Sequence, residues 1–352
     1  MTQHTVTFQP SGARILCRPD QTIAEAALEQ GVVVPVSCEN AVCLICQAEP
    51  GAQSSNALLH FRNSLGADVW QQHQQVLCCT ALPQSDIELV MNDVYAPNHK
   101  PQVTLACQVA SCEALSDDTF RIMLRAPAGK ALDYWAGQYL LLHAQDEHGH
   151  EQMLPYSIAA APPSLTGKDG RLLELHIANS SDTAQAVLNF LRHAIIAKVT
   201  LPAGDCIVHE RFLRAHQQQP LLMVAAGSGF SQIKALTEAA LAINPAQEVH
   251  LYWSNRQLTQ FYLADEIEQW LTQYPNVHYH PVLEQANSDW AGRSGWLYQI
   301  IRDDFADLHH VQLFACGSPN MVYGTLDQLE PLGLSMSNMH ADVFAYAPRP
   351  TR

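Results

Sequence analysis

Four cysteines in the first third of the chain have types and a spacing that suit metal chemistry. Cys38, Cys43 and Cys46 form a C-x4-C-x2-C run, and Cys79 follows after a gap. A [2Fe–2S] cluster needs four thiolates, and this spacing lets one tight loop supply three of them while a separate strand supplies the fourth. A structural zinc site or a loop without its cluster is the alternative, but zinc sites usually pair two C-x2-C units and the second is absent. The spacing therefore favours an iron–sulfur cluster.

The segments around these cysteines predict a small sheet with one helix that holds the loop. Two short apolar runs flank the turn residues Pro10-Ser11-Gly12, which predicts a hairpin, and the next segment has a helical pattern that ends at Gly31. The hairpin strands and the helix are predicted over Thr5–Phe8, Ala13–Cys17 and Thr22–Gln30.

These residues resemble the plant-type ferredoxin domain over roughly Thr5 to Met91. The resemblance rests on Pro35-Val-Ser-Cys38 and on Val76-Leu-Cys-Cys79 with the residues that follow it. It implies a β-grasp ferredoxin domain over residues 1–95, and its Leu-x-Cys register makes Cys79 the fourth ligand rather than Cys78. Ala41 and Leu44 stand where the family usually has glycine. If Leu44 has to adopt a positive φ, the loop is strained.

A second module follows the linker Tyr95–Pro101, which contains two prolines and no apolar periodicity. From Val103 to about Val208, short apolar runs alternate with turn signals, and this pattern predicts an antiparallel β-barrel over residues 102–210. One helix, Ala184–His193, interrupts it.

Two motifs of this module resemble the flavin-binding domain of the ferredoxin–NADP reductase superfamily. They are Ala136-Gly-Gln-Tyr139 and Leu154-Pro-Tyr-Ser-Ile-Ala159. The resemblance implies FAD as a cofactor, with Tyr156 packed on the isoalloxazine ring and the Ser157 hydroxyl at its reactive N5 edge as a catalytic group. It also implies FAD-binding roles for Gly137, Gln138 and Tyr139. Taken alone, Pro-Tyr-Ser is more typical of an ordinary strand.

Leu154 occupies the position of a family arginine that neutralises the flavin phosphate. A charge-assisted hydrogen bond of this kind contributes about 1.5–3 kcal/mol, so its loss weakens retention of the cofactor. We therefore expect a weakly held flavin.

Strands and helices alternate from Pro220 to Ala315, which predicts a doubly wound α/β parallel sheet over residues 215–352. The predicted strands are Leu221–Ala225, Val249–Trp253, Val277–Val282 and Val311–Ala315, and the predicted helices are Gln232–Leu241, Ala264–Tyr274 and Leu297–Asp303.

The run Val224-Ala-Ala-Gly-Ser-Gly-Phe-Ser231 lies between the first of these strands and its helix, where free backbone amides and the helix dipole suit a pyrophosphate. A lone Gly-x-Gly is weak by itself. The run resembles the nicotinamide-nucleotide loop of the same superfamily, although Ala226 and Gln232 replace a usual glycine and proline. This implies that NADH or NADPH binds Gly227, Ser228 and Gly229.

Four further motifs resemble parts of known reductases. Cys316-Gly317 would line the nicotinamide pocket, with Cys316 as a positioning residue rather than a nucleophile; the alternative is a buried thiol at a strand end. Leu251–Arg256 resembles the adenosine-end strand and loop. Arg256 is the only cation from Tyr252 to Phe261, so we predict a preference for NADH over NADPH. The tail that contains Phe344 resembles bacterial NAD(P)H:flavin reductases, as does Arg293-Ser-Gly295.

Composition restricts the class of protein. The chain has 352 residues, 47% of them hydrophobic, and a net charge of −15, which disfavours nucleic acid and anionic membrane surfaces. No apolar run approaches the roughly 18 residues of a membrane span, and no export signal is visible, so we expect a cytoplasmic protein. Most of the 17 histidines occur singly, and His309-His310 has no acidic partner at ligand spacing, so we interpret the histidines as surface or core residues.

The order of the three modules resembles the reductase components of bacterial oxygenases and the reductases that serve CDP-deoxyhexose dehydration. It implies an iron–sulfur flavoprotein that passes electrons from NAD(P)H through flavin and a [2Fe–2S] cluster to an oxygenase or dehydratase component. The alternatives are an NAD(P)H:free-flavin reductase, in which flavin is a substrate that leaves, and a non-enzymatic iron–sulfur protein with a decayed flavin site.

Overall fold

The computed structural model describes residues 3–51, 54, 57–92, 94, 100–145, 150–285 and 289–349. The chain divides into two compact units, Met1–Pro101 and Gln102–Arg352. The predicted linker Tyr95–Pro101 lies mostly outside the described residues, since 95–99 are not among them. Among the described helices, none has the length and apolar character needed to cross a membrane.

The first unit contains a five-stranded sheet in the order β2-β1-β7-β3-β5 and a two-stranded sheet of β4 and β6. The predicted hairpin is confirmed, since β1 and β2 pair antiparallel, and β1 also pairs parallel with β7. The strands and helices of this unit are β1 His4–Gln9, β2 Arg14–Cys17, α1 Ile23–Gln30, β3 Gln47–Pro50, β4 Leu59–Phe61, α2 Ser64–His73, β5 Val76–Leu77, β6 Ala81–Pro83 and β7 Ile87–Val90.

Helix α1 begins and ends where the sequence predicts. Thr22 and Glu25 form a capping box at its start, and Gly31 ends it in the left-handed conformation with φ 73°. The buried side chains of α1 join the sheet in one core with Val6, Phe8 and Leu77. The same core includes Cys46 and Cys79, so it fixes the position of the cysteine loop.

The second unit begins with a six-stranded antiparallel sheet in the order β11-β10-β13-β8-β9-β12. Residues of its two end strands, β11 and β12, line one cleft, so the sheet is curled. The elements of this part are β8 Val103–Ala114, β9 Thr119–Arg125, β10 Tyr139–Gln145, β11 Glu151–Ser157, α3 Pro163–Thr166, β12 Leu172–Ala178, α4 Asp182–His193, β13 Ile196–Ala203 and α5 Glu210–Ala215.

A parallel sheet in the order β17-β16-β15-β14-β18-β19 completes the second unit. Alternate residues of β14 enter two different cores, Leu221 and Met223 on one face and Leu222 and Val224 on the other, so helices cover both faces as in a doubly wound sheet. The elements are β14 Leu221–Ala226, α6 Phe230–Ile243, β15 Val249–Asn255, α7 Ala264–Gln273, β16 Val277–Leu283, β17 Arg293–Ser294, α8 Leu297–Asp304, β18 Gln312–Cys316, α9 Pro319–Leu329, β19 Met339–His340 and α10 Val343–Tyr346.

Candidate functional site

The cysteine loop directs backbone amides at its first sulfur. Cys38, Cys43 and Cys46 lie between α1 and β3, and Cys79 lies between β5 and β6. The Cys43 N–H donates to Cys38 Sγ at 3.3 Å. Hydrogen bonds from the amides of Cys43 and Asn40 lower the pKa of Cys38 from 9.0 to about 6. The loop therefore stabilises a thiolate, which is the form that binds a metal.

The four thiols interact with one another. The side chain of Cys38 interacts with that of Cys43, and the side chain of Cys46 interacts with those of Cys79 and Cys43. A cluster of two irons takes two thiolates on each iron, so this donor set fits it. A single tetrahedral zinc ion instead brings four sulfurs within about 3.8 Å of one another, given Zn–S bonds of about 2.3 Å. In the described part of the chain, the cysteines do not form a group with three donor atoms within 4.8 Å.

Cys78 differs from its neighbour in its surroundings. Its side chain is completely buried, and burial raises the pKa of its thiol. Its backbone is fixed, because its N–H donates to the Cys46 carbonyl and its carbonyl accepts from Ala24. These contacts make Cys78 part of the core.

The backbone of the loop is left-handed at three residues that are not glycine. Ala41 has φ 73° and Leu44 has φ 58°, the two positions at which the sequence departs from glycine, and Glu39 has φ 53°. The left-handed conformation costs about 1–2 kcal/mol for a residue with a Cβ. The strain expected at Leu44 is therefore present, and Glu39, which the sequence analysis did not single out, adds to it.

A cleft of about 460 Å³ in the second unit brings distant motifs together. Its lining comes from β11, β12, the start of α4, the turn after β14 and the end of β18. The predicted residues in this lining are Tyr156, Ser157, Ser228, Gly229, Cys316 and Gly317.

The flavin motif lies on one wall of this cleft. Tyr156 is half-buried, and burial raises the pKa of its phenol, so the hydroxyl is neutral at pH 7. Leu154 is in the same wall and packs on the core of the antiparallel sheet. Ser180, Ser181 and Thr183, at the N-terminus of α4, also line the cleft, and the Ser181 hydroxyl caps the helix by accepting from the Ala184 N–H. These residues fit a flavin ring against β11 and an anionic group at the N-terminus of α4. The described lining offers the flavin phosphate no lysine or arginine.

The glycine-rich turn also contributes to the cleft, through Ser228 and Gly229. Gly227–Gly229 make a single helical turn between β14 and α6, and Gly227 has φ 55°. A Cβ on Gly229 would collide with the Cys316 carbonyl oxygen and lie 2.9 Å from its carbonyl carbon. Only glycine therefore lets the turn approach the end of β18 this closely.

Cys316 is a neutral thiol. Burial, with a smaller contribution from the carboxylate of Asp342, raises its pKa from 9.0 to about 12. A nucleophilic cysteine needs the opposite shift. The environment therefore suits a residue that positions a neighbour.

A second pocket, of about 390 Å³, is lined in part by Ala226, the residue directly before the turn. Arg256 and Glu284 both line it, and Arg256 Nε lies 3.4 Å from Glu284 Oε2. Trp296 also lines this pocket although 62% of it is exposed, as does Gly295 of the predicted Arg293–Gly295 segment. Glu284 and Trp296 were not predicted, because they enter this pocket only through the packing of segments that are distant in the sequence.

Several predicted residues lie outside the described lining of the cleft. Gly137, Gln138 and Tyr139 connect the antiparallel sheet to the rest of the unit: Gln138 Nε2 donates to the Gly204 carbonyl, and Gln232 Nε2 donates to the Gly137 carbonyl at 2.6 Å. Phe344 is half-buried on α10 and packs against Tyr323.

A buried charged network beneath the cleft was not predicted. Lys234 Nζ lies 3.4 Å from Glu174 and 3.1 Å from Glu238, and it donates to the Ala159 carbonyl at 2.8 Å. His176 Nε2 lies 2.9 Å from Glu174, and burial lowers the pKa of His176. Glu174 and His176 are two residues apart on β12, which predicts that their side chains share one face of the sheet. Lys234 is on α6, where the sequence alone predicts a solvent-exposed lysine.

The prediction that His309-His310 has no acidic partner is wrong. Asp307, two residues before His309, places its Oδ1 2.6 Å from His309 Nδ1, so the pair does have an acidic partner. Both side chains are exposed, which agrees with a surface role.

Comparison with known proteins places these features in a family. Residues 6–84 match the family described as 2Fe-2S iron-sulfur cluster binding domain, and residues 223–327 match the oxidoreductase NAD-binding domain. The chain is 29% identical over 346 residues to the CDP-6-deoxy-L-threo-D-glycero-4-hexulose-3-dehydrase reductase of Yersinia pestis, covering 96% of this chain and 98% of that protein.

Two further similarities concern the flavin part and the fold. The chain is 30% identical over 251 residues to the NAD(P)H-flavin reductase of Vibrio harveyi, covering 69% of this chain and all of that protein. It superimposes on the Amycolatopsis cytochrome P450 reductase GcoB with a TM-score of 0.62 at 23% identity, over 96% of this chain and 98% of that one. Because the flavin reductase is matched over its whole length and a cluster-binding domain accompanies that match, the chain belongs to the ferredoxin–NAD(P)H reductase superfamily, among its iron–sulfur flavoprotein reductases.

Proposed function

We propose that the protein takes electrons from NAD(P)H and passes them through flavin and a [2Fe–2S] cluster to an oxygenase or dehydratase component. The observation that carries the proposal is the cleft of the second unit, where the flavin motif faces the nucleotide motif. The relative named as a dehydrase reductase, matched over nearly its whole length, supports a protein acceptor of this kind.

In the first unit, Cys38, Cys43, Cys46 and Cys79 hold the cluster. The amide hydrogen bonds to Cys38 stabilise its thiolate and orient the loop. Hydrogen bonds to cluster sulfurs and solvent exposure are what set the potential of such centres.

In the second unit, Tyr156 packs against the flavin ring and the Ser157 hydroxyl lies at its reactive edge. Bound flavin supplies the exchange between the two electrons that NAD(P)H delivers and the single electrons that the cluster accepts. The hydroxyls at the N-terminus of α4 hold an anionic group of the cofactor.

The nucleotide binds on the opposite wall. The amides of Gly227, Ser228 and Gly229 face its pyrophosphate, while Cys316 and Gly317 position the nicotinamide. Arg256 holds the adenosine end; it is the only lysine or arginine in the described lining of the second pocket, and it is paired with Glu284. This supports the preference for NADH.

The remaining predicted residues support these walls. Gly137 and Gln138 fix the joint between the antiparallel sheet and α6, and Tyr139 continues from it into β10. Phe344 holds the C-terminal helix on the nucleotide side.

These roles follow a three-part division of the chain. We assign a β-grasp ferredoxin domain to residues 1–95, a flavin-binding β-barrel to 102–210 and a doubly wound nucleotide domain to 215–352. The predicted cytoplasmic location stays a prediction.

A free-flavin reductase is the second candidate, and one observation favours it. The described lining of the cleft has Leu154 and no cation, so flavin phosphate has no charged partner there. In that case the flavin enters and leaves as a substrate.

Anaerobic titration with NADH distinguishes these functions. The gel-filtered protein should keep flavin absorbance, NADH should bleach the cluster, and cytochrome c should be reduced. Cys79→Ser should keep reduction of a dye by NADH but lose most reduction of cytochrome c. Activity only with added flavin, and a cluster that NADH leaves oxidised, would support the second candidate. No NADH oxidation under either condition would contradict both.

A further inference from the structure

Three side chains with metal-binding groups lie together at the amino ends of two parallel strands. Strand β15 begins at Val249 and β16 at Val277, and His250 is in register with His278. Because side chains alternate along a strand, Glu248 and His250 are on one face, and the register places His278 beside them.

The geometry brings their ligand atoms within reach of one ion. Each residue offers one ligand atom, and the three atoms lie within 4.8 Å of one another. The rings of His250 and His278 stack with centroids 4.6 Å apart. His250 Nε2 lies 2.9 Å from Glu248 Oε1.

The two ring nitrogens of His250 have different surroundings. Its Nδ1 is buried and has no hydrogen-bond partner among the described residues. The other nitrogen, Nε2, contacts the Glu248 carboxylate and is therefore the one that an ion shared with Glu248 would take.

The site is open on one side and bounded on the other. Glu248 and His278 are exposed, so an ion reaches them from solvent. His280 lies further along the same face, but the Arg293 guanidinium lies 3.5 Å from its Nδ1 and is paired with Asp304. This cation keeps a metal ion away from His280.

We propose that Glu248, His250 and His278 bind one divalent transition-metal ion, with Zn²⁺ the expected ion and water in the fourth position. Two imidazoles and one carboxylate are a common zinc donor set. The ion joins the amino ends of β15 and β16 and so stabilises the sheet. The second pocket is at the opposite ends of these strands, where Ser254 and Glu284 line it.

Calorimetric titration of the cluster-loaded protein with Zn²⁺ tests the site. One ion should bind per chain, the melting temperature should rise, and the visible spectrum of the cluster should not change. His278→Ala and Glu248→Gln, both at exposed positions, should each weaken binding at least about tenfold, since even outer-shell partners of metal ligands change affinity by roughly 10–100-fold. His310→Ala, an exposed histidine outside this group, is the matched control and should bind as wild type does.

X-ray absorption at the zinc edge provides a second readout. Nitrogen and oxygen ligands at about 2.0–2.1 Å are expected, whereas sulfur at about 2.3 Å would place the ion at cysteines. That result, no binding by the wild type, or unchanged affinity in both ligand variants would overturn the proposal.

Discussion

Gly229→Ala tests whether the close approach between the glycine turn and the end of β18 sets the geometry of the cleft. The added Cβ would lie 2.9 Å from the Cys316 carbonyl carbon and would collide with its oxygen. Ordinary carbon contacts lie at about 3.5–4.0 Å, so one wall has to move by at least about 0.6 Å, and the clash with the oxygen requires nearer 1 Å.

A displacement of this size has two calculable effects. Overpacking a well-packed site costs about 1–3 kcal/mol of folding stability. Misplacing reacting groups by about 1 Å can reduce a rate about 100-fold, which corresponds to about 2.7 kcal/mol in the activation free energy. We therefore expect the NADH–dye reductase kcat to fall about 100-fold, while the cluster spectrum stays unchanged because the cluster lies in the other unit.

Stopped-flow reduction by NADH, together with thermal unfolding, measures both effects. Gly170→Ala is the matched control, since nothing lies within 4 Å of a Cβ there and no positive φ is involved. It should differ from wild type by less than about 0.5 kcal/mol, as is usual for surface changes. A Gly229→Ala rate within threefold of the control would refute the argument that this contact fixes the cleft.

Four further predictions concern single sites. Cys79→Ser should bleach or alter the cluster spectrum, whereas Cys78→Ser should leave it intact; visible absorption decides, and the reverse result would show that the ligands are misassigned. Leu154→Arg should tighten FAD binding by about 1.5–3 kcal/mol, measured by titration of the flavin-free protein, and an unchanged Kd would mean that another residue covers the phosphate. Wild type should have a higher kcat/KM for NADH than for NADPH. Glu284→Gln should raise kcat/KM for NADPH by up to about fivefold, which corresponds to the free energy of an exposed ion pair, with little change for NADH. A wild-type preference for NADPH of tenfold or more would show that the assignment of the loop is wrong. Burial raises the pKa of Asp342 from 3.8 to about 6, so its contribution to stability is full below pH 3.8 and is lost as pH rises through about 6. In denaturant unfolding, the stability of the wild type should fall by up to about 3 kcal/mol relative to Asp342→Asn between pH 4 and pH 7. Parallel pH profiles of the two proteins would contradict this.

The hairpin, helix α1 and the loop that carries three of the predicted cluster ligands could be predicted because their signals are local. The C-x4-C-x2-C spacing, the capping residue Thr22 and the final Gly31 act within a few residues of their own position. The strained φ of Leu44 could be anticipated for the same reason, since one loop position normally has glycine.

The rest depends on contacts between distant segments. His250 and His278 are 28 residues apart in the chain, and only the register of β15 and β16 brings their rings together. The Gln138 amide donates to the backbone of Gly204, 66 residues further along the chain, and no local pattern indicates this contact. Lys234 pairs with Glu174 from another sheet, and a helical lysine usually faces solvent.

The pairing of Lys234 with Glu174 also bears on how the second unit comes apart. Lys234 is on the helix that packs against the parallel sheet, Glu174 is on the antiparallel sheet, and both side chains are largely removed from water. Separating the two sheets would take Lys234 away from Glu174 and from the Ala159 carbonyl, although Glu238 stays beside Lys234, and His176 stays beside Glu174. Losing one hydrogen bond to a charged group costs about 1.5–3 kcal/mol. A state in which one sheet is melted and the other intact is therefore sparsely populated. We expect the two sheets to unfold together as one cooperative block, so the cleft that both of them line is lost in a single transition.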